Sequence, residues 1–212
     1  MIDDVTSYEK FTGTGGVNKA FLGLGYKITP NLSIGADITY NFGKIETSSL
    51  QLVETVQFGS REMTSSDITG ASFKAGVSYT AKLTDKLQLF SALTYSPESN
   101  LNLKNGRRIS TVQFTPVGGE IEVDFEVVSV ANTTLKMPSK LTFGAGIGEL
   151  RKWVVGGEVT LQQSKNQENR FVDIDKAMFE NAIKYAIGGY YIPNYNSFSS
   201  YFEKITYRAG LR

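Results

Sequence analysis

Between Leu32 and Phe42 every second residue is apolar: Leu32, Ile34, Ala36, Ile38, Tyr40 and Phe42. The residues between them are Ser33, Gly35, Asp37, Thr39 and Asn41. Successive side chains of a strand point to opposite faces, so this stretch is a strand with one greasy face and one polar face. Two kinds of protein can hold such a strand. A soluble sheet packs the greasy face into a core, and a membrane barrel turns it out to lipid and keeps the polar face inside.

The pattern recurs in hairpins. The stretch GLGYKITPNLSIGADITYNFG (23 to 43) turns at Thr29, Pro30 and Asn31, and FKAGVSYTAKLTDKLQLFSALTY (73 to 95) turns at Thr84, Asp85 and Lys86. LTFGAGIGELRKWVVGGEVTL (141 to 161) turns between Glu149 and Lys152, and a fourth pair ends the chain with a longer turn that begins at Pro193 and Asn194. Each arm is about 9 to 11 residues, the length with which a tilted strand crosses the hydrocarbon layer of a bilayer. The turns inside the hairpins are short, whereas the links between them, at 44 to 71, 97 to 138 and 163 to 181, are expected to be long loops. Short turns on one rim and long connections on the other are the asymmetry of an outer-membrane barrel. Within 97 to 138, ISTVQF and EIEVDFEV read as one more hairpin, either a further membrane pair or strands rising above the bilayer. The stretch 172 to 182 is expected to make a helical turn.

Aromatic residues fall at the strand ends. Tyr40, Phe42, Phe73 and Tyr95 lie where strands meet the long links, and Tyr26, Trp153 and Tyr191 lie near the short turns, as in the two interfacial girdles of a barrel. The opposite phase carries Asp37, Lys74, Lys82, Glu158 and Arg208. Isolated charges of this kind are costly in a dry core and tolerated in a wet lumen, where Asp37, Glu158 and Lys82 are expected to take part in charge pairs. Phe90 and Val154 are apolar residues in the lumen phase, with Ala92 leaving space beside Phe90. Together with Lys74 and Arg208 as partners for a carboxylate head group, they are the candidate ligand-binding residues.

Composition removes whole classes of chemistry. The 212 residues include no cysteine and no histidine, which excludes disulfides, thiol nucleophiles, His-based triads and the common zinc sites. The formal net charge is +1, so nothing points to nucleic acid as a partner. No apolar run is long enough for a membrane helix. The start lacks the features of a secretory signal, and the last residues, ITYRAGLR, stop inside an alternating strand. A piece of a longer barrel is expected, with 1–19 an irregular segment and 20–212 part of one barrel domain. The period-two acids Glu120, Glu122, Asp124 and Glu126 read as a solvated ladder on one face. A cation held there would be calcium, but no catalytic residue, metal site or cofactor is expected.

The stretch KMPSKLTFGAGIGELRKWVVGGEVTL, with a proline before a glycine-containing strand and a tryptophan opening the next, resembles the outer-membrane long-chain fatty-acid transporters, also called the toluene and hydrocarbon transport porins. LFSALTYSPESNLNL and GGYYIP…ITYRAGLR are similar to other steps of that family, although Ser96 and Pro97 replace its usual Arg-Ser. The Asn, Lys and Tyr content resembles members from Bacteroidota. The resemblance implies a 14-stranded barrel, of which about 8 to 10 strands are present here, without the N-terminal hatch or the terminal strands.

The expected fold is therefore all-β, an antiparallel transmembrane barrel in the outer membrane of a Gram-negative bacterium. The leading expectation for function is passive transport of hydrophobic compounds such as long-chain fatty acids, with outer-membrane lipid and a hydrophobic small molecule as partners. The alternative is a structural or docking barrel of an outer-membrane secretion or assembly complex, with protein partners. A soluble ligand-binding β-barrel comes third. None of these is an enzyme.

Overall fold

The computed structural model describes residues 7–53, 56–115, 119–165, 167, 170–171 and 178–212. Its strands are β1 (Ser7–Lys27), β2 (Leu32–Val53), β3 (Phe58–Lys82), β4 (Leu87–Ser96), β5 (Ser99–Phe114), β6 (Glu120–Val128), β7 (Thr133–Met137), β8 (Ser139–Glu149), β9 (Trp153–Gln163), β10 (Ala182–Tyr191) and β11 (Tyr207–Leu211). A single helical turn, α1 (Tyr201–Lys204), interrupts the connection into β11. All the strands join one antiparallel sheet whose main path is β1-β2-β3-β4-β8-β9-β10-β11. The sheet is a curled half-barrel.

The side branches of that path are extensions of strands already in it. β3 pairs with β4 along Ala75–Lys82 and with β5 along Phe58–Thr69, so β4 and β5 are one long strand stepped at Pro97. β6 and β7 both pair with β5 and lead directly into β8. The chain is thus an up-and-down meander whose first five passes run far beyond the last three.

This corrects the expected boundaries. The links at 44 to 71 and 97 to 138 are largely strand, and the arms reach 21, 22 and 25 residues in β1, β2 and β3. Residues 7–19, expected to be irregular, pair with β2 from Ser7↔Val53 to Lys19↔Asn41. Backbone pairing does not require one greasy face, and the threonine- and serine-rich runs here keep the ladder after the apolar alternation ends. Of the two readings of 97 to 138, strands rising beyond the band are what forms. The helical turn expected at 172 to 182 falls mostly on residues outside those described, and Met178–Asn181 are not helical.

The polarity of the sheet is that of a barrel wall. On β2 and β8 the apolar residues are the exposed ones, with Ile38 at 55% and Phe143 at 52%, while the polar phase is sheltered inside the curl, with Asn41 at 3% and Thr160 of β9 at 8%. Register ties the outer residues into rows across the sheet. One row runs Tyr26, Ile34, Val77, Leu93, Phe143, Val159, Tyr185 from β1 to β10. From Leu32 to Phe42 the apolar face climbs about 25 Å, taking roughly 3.3 Å per residue and a tilt near 40°, which is the height of an outer-membrane apolar band. Tyr40 and Phe42 stack at its upper edge, ring centroids 5.9 Å apart. Trp153, Tyr191 and Tyr207 share a row at its lower edge.

Beyond the band the apolar phase reverses. Ile68, Leu101 and Leu103 are buried together, with Ile45, Leu135 and Met137 packed around them. Ile45 lies on the inner face of β2, in phase with Asp37 and Asn41. The extension therefore has a small core of its own inside the curl.

Candidate functional site

The inner face carries every candidate ligand-binding and charge-pair residue read from the sequence, spread over several rows. Lys82, Val154 and Arg208 share one row, in which Lys82 faces Gln88, Val154 faces Gly148 and Tyr190, and Tyr190 faces Arg208. Phe90 lies one row up, between Thr80 and Gly146. Ala92 and Glu158 share the next row through Gly144. Higher still, Lys74 faces Asp37 in register, and its ammonium lies 3.7 Å from the Asp37 carboxylate.

Of the expected charge pairs, Asp37 and Lys74 come together. Glu158 is met by the Thr160 hydroxyl, which donates to Glu158 Oε1 at 3.3 Å and lies 3.1 Å from the Thr142 hydroxyl. Among the described residues Glu158, Lys82 and Arg208 form no ion pair. Phe21, Gly23, Ser33, Asp37, Lys74 and Ala92 line an open depression of about 520 Å³ on the first four strands. The candidates do not converge on one point, since Lys74 and Phe90 belong to rows about 20 Å apart along the strands.

The tightest polar arrangement of the inner face lies in the extension, at residues the sequence did not single out. The amide nitrogen of Asn105 donates to the Thr133 hydroxyl at 2.9 Å and reaches the carbonyls of Ala131 at 3.1 Å and Arg170 at 3.2 Å. Ser66 donates to its oxygen at 2.6 Å, and the Thr133 hydroxyl donates to the Arg170 carbonyl at 2.7 Å. Arg170 extends across the sheet to the hydroxyls of Thr47 and Thr64 at 3.1 and 3.3 Å. Burial pulls its guanidinium below the usual arginine range. Phe171 beside it is buried, with the Arg107 and Arg170 guanidiniums 5.4 and 5.1 Å from its ring. Arg170 and Phe171 of the β9–β10 connection are thus latched into the mouth of the curl. The available signal is the inverted phase of Ile45, Ile68, Leu101 and Leu103 inside the stretches expected to be long loops.

The acidic ladder of β6 does not form as expected. A register shift between Thr111 and Val112 sets Glu122 opposite Val112 and Asp124 opposite Thr111, which moves the two acids to opposite faces. Glu120 and Glu122 then pair with Arg61 and Arg108, and Arg108 also lies 4.0 Å from the centre of the Phe125 ring. No cluster of metal-ligating groups occurs among the described residues.

A family model described as BamG matches residues 2–212. The chain belongs to the BamG family. This overturns the resemblance to the fatty-acid transporters, and the geometry explains why the quoted motifs misled. A Cβ on Gly146 would stand 3.0 Å from the Val155 carbonyl oxygen, and one on Gly156 would stand 3.0 Å from that of Ala145. The glycine spacing of the BamG-family chain therefore answers the close approach of neighbouring strands on the inner wall, a need shared by any tightly curled sheet. A search of curated proteins finds no match. Among solved structures, one of the RagAB peptide transporter aligns at a TM-score of 0.47 and 15% identity, over 90% of this chain and 21% of that one. The RagAB peptide importer in its closed-closed state aligns at 0.44 and 14%, with the same coverages. The BamG-family chain spans about a fifth of the length of those chains.

Proposed function

We propose that this chain forms part of the wall of an outer-membrane β-barrel, and that the barrel is a structural, docking component of an outer-membrane assembly complex in a Gram-negative bacterium. The role is structural rather than catalytic. The observation that carries it is the family match over nearly the whole chain, since the family name points to such a complex.

Two features of the fold support the reading. The outward apolar rows suit lipid along the band. Above the band, the extended hairpins are strand-built and cored, and β6 pairs only with β5, which leaves its other edge open among the described residues. Such an edge is suited to a partner protein. The latch at Arg170 and Phe171 occupies the mouth of the curl, where a conduit for hydrophobic cargo would have to open.

The test is purification of the tagged full-length protein from native membranes in mild detergent. Stoichiometric partner proteins are expected to come with it, and their yield should fall when the β6 edge is blocked by Val123→Pro while membrane insertion persists. A protein that purifies alone from membranes, with no partner at any detergent strength, overturns the docking role.

A further inference from the structure

The connection between β10 and β11 is the one long turn on the otherwise short-turned rim. Its backbone is pinned: Ile192 N donates to the Lys152 carbonyl at 2.7 Å, Asn194 N to that of Glu203 at 2.9 Å, and the Tyr207 hydroxyl to that of Phe202 at 3.3 Å. Ile192 and Ser197 are buried beneath it. Its aromatic rings are nevertheless all exposed. Phe198 is 98% exposed, and Tyr195, Tyr201 and Phe202 are exposed as well. Two cations sit on these rings, Lys204 at 5.2 Å from the centre of Phe198 and Arg151 at 5.2 Å from that of Tyr195.

An ordered platform that shows four rings to its surroundings needs something to cover it. Two facts identify what that is. The platform continues the row of Trp153, Tyr191 and Tyr207 at the lower edge of the apolar band. The turns around it carry Lys86, Arg151, Lys152 and Lys204 against Asp85, Glu149 and Glu203, a small cationic excess. Aromatic rings settle at the level of lipid headgroups, and cations beside them attract anionic ones.

We propose that the β10–β11 connection is an interfacial anchor, seated in the headgroup layer at the short-turn rim, with Arg151 and Lys204 selecting anionic phospholipid. The proposal rests on the membrane-spanning reading of the sheet, and its test separates the two.

Trp153 is the only tryptophan of these 212 residues, so W153F, with any tryptophan elsewhere in the full-length protein also replaced by phenylalanine, gives a silent background in which F198W reports on the connection and I38W on the middle of the band. Each full-length variant is reconstituted into phosphatidylcholine vesicles containing phosphatidylglycerol, and emission is quenched with lipids brominated near the carbonyls or at mid-chain. F198W should be quenched best by bromine near the carbonyls. Brominated phosphatidylglycerol should outcompete brominated phosphatidylcholine by about five-fold for each cation, the factor one surface charge gives against an anionic leaflet. R151Q/K204Q should abolish that preference. Quenching of I38W at mid-chain with F198W open only to aqueous acrylamide overturns the anchor and leaves the span standing. If neither probe is quenched by lipid, span and anchor fall together. Equal quenching of F198W by the two headgroups overturns the selectivity assigned to Arg151 and Lys204.

Discussion

The guanidinium of Arg170 donates to the Thr47 hydroxyl across 3.1 Å, joining residues 123 apart in the chain. The bond runs from the β9–β10 connection to β2, across the inside of the curl, and so braces strands that share no ladder. Asn105 holds the same point from the other side, through the Arg170 carbonyl.

The bracing is testable at Asn105. Its amide donates to Thr133, Ala131 and Arg170 and accepts from Ser66, which is fully buried, so Asn105→Ala strips the Ser66 hydroxyl of its acceptor and removes one of the two donors to the Arg170 carbonyl. The expected cost is about 1–3 kcal/mol, the penalty for stranding buried polar groups. Urea unfolding of the reconstituted protein would measure it, and limited proteolysis should show new cleavage between Ser164 and Asn181. An unchanged midpoint and cleavage pattern would mean that the latch bears no load.

The outward band predicts a large response where a soluble protein would show almost none. Ile38 is exposed on the outward face of β2, near the middle of the band that runs from Leu32 to Phe42. On the surface of a soluble sheet Ile38→Arg would change stability by no more than about 0.5 kcal/mol. In the middle of a bilayer the same substitution should cost roughly 2–4 kcal/mol, and the penalty should shrink at Tyr40 and Phe42 near the interface. Folding free energies measured in lipid vesicles across these three positions would show the depth profile or its absence.

The sequence made the outer face legible because the apolar positions from Leu32 to Phe42 repeat with the period of a strand, and nothing in the fold overrides that. Aromatic placement was legible for the same reason, with Tyr40, Phe42, Trp153 and Tyr191 all falling at the band's edges. The extension was not, apart from the β5–β6 hairpin, whose alternation is visible in ISTVQF and EIEVDFEV. Its other strands are polar on both faces or apolar on the inner one, so the phase of Ile45 and Ile68 cancels the signal that Ile34 and Ile38 establish. The latch was invisible for another reason. Arg170 meets Thr47 and Thr64 only through tertiary folding, and no local spacing announces a contact across the sheet. The acids of β6 misled because period-two counting assumes an unbroken ladder, and the bulge beside Thr111 breaks it between Glu122 and Asp124.

The Asp37–Lys74 pair gives a prediction in the opposite sense, of a small effect. The two groups face each other at 3.7 Å, with the lysine side chain 54% exposed and the aspartate 29%. Solvent screens such a pair, and holding the long lysine chain in place costs entropy. A double-mutant cycle with Asp37→Asn and Lys74→Met should therefore give a coupling below about 1 kcal/mol, falling further in high salt. A coupling of several kcal/mol would instead indicate that the inner face is dry at this height.

Gly15 marks where the outer band gives way to the extension. Its φ is +92°, and it sits opposite Ile45, the first inward apolar residue of the extension core. A Cβ there would stand 2.1 Å from the Lys44 carbonyl oxygen, on a backbone conformation that L side chains rarely adopt. Gly15→Ala is therefore expected to destabilise by about 1–3 kcal/mol and to loosen amide-exchange protection at Lys44 and Ile45. The neighbouring Gly16 supplies the control, because a Cβ there meets no atom within 4 Å. Gly16→Ala should be neutral or stabilising by about 0.4–1 kcal/mol, through the lower entropy of the unfolded chain. Equal losses from both substitutions would show that strand flexibility in general, rather than the positive φ at Gly15, sets the cost.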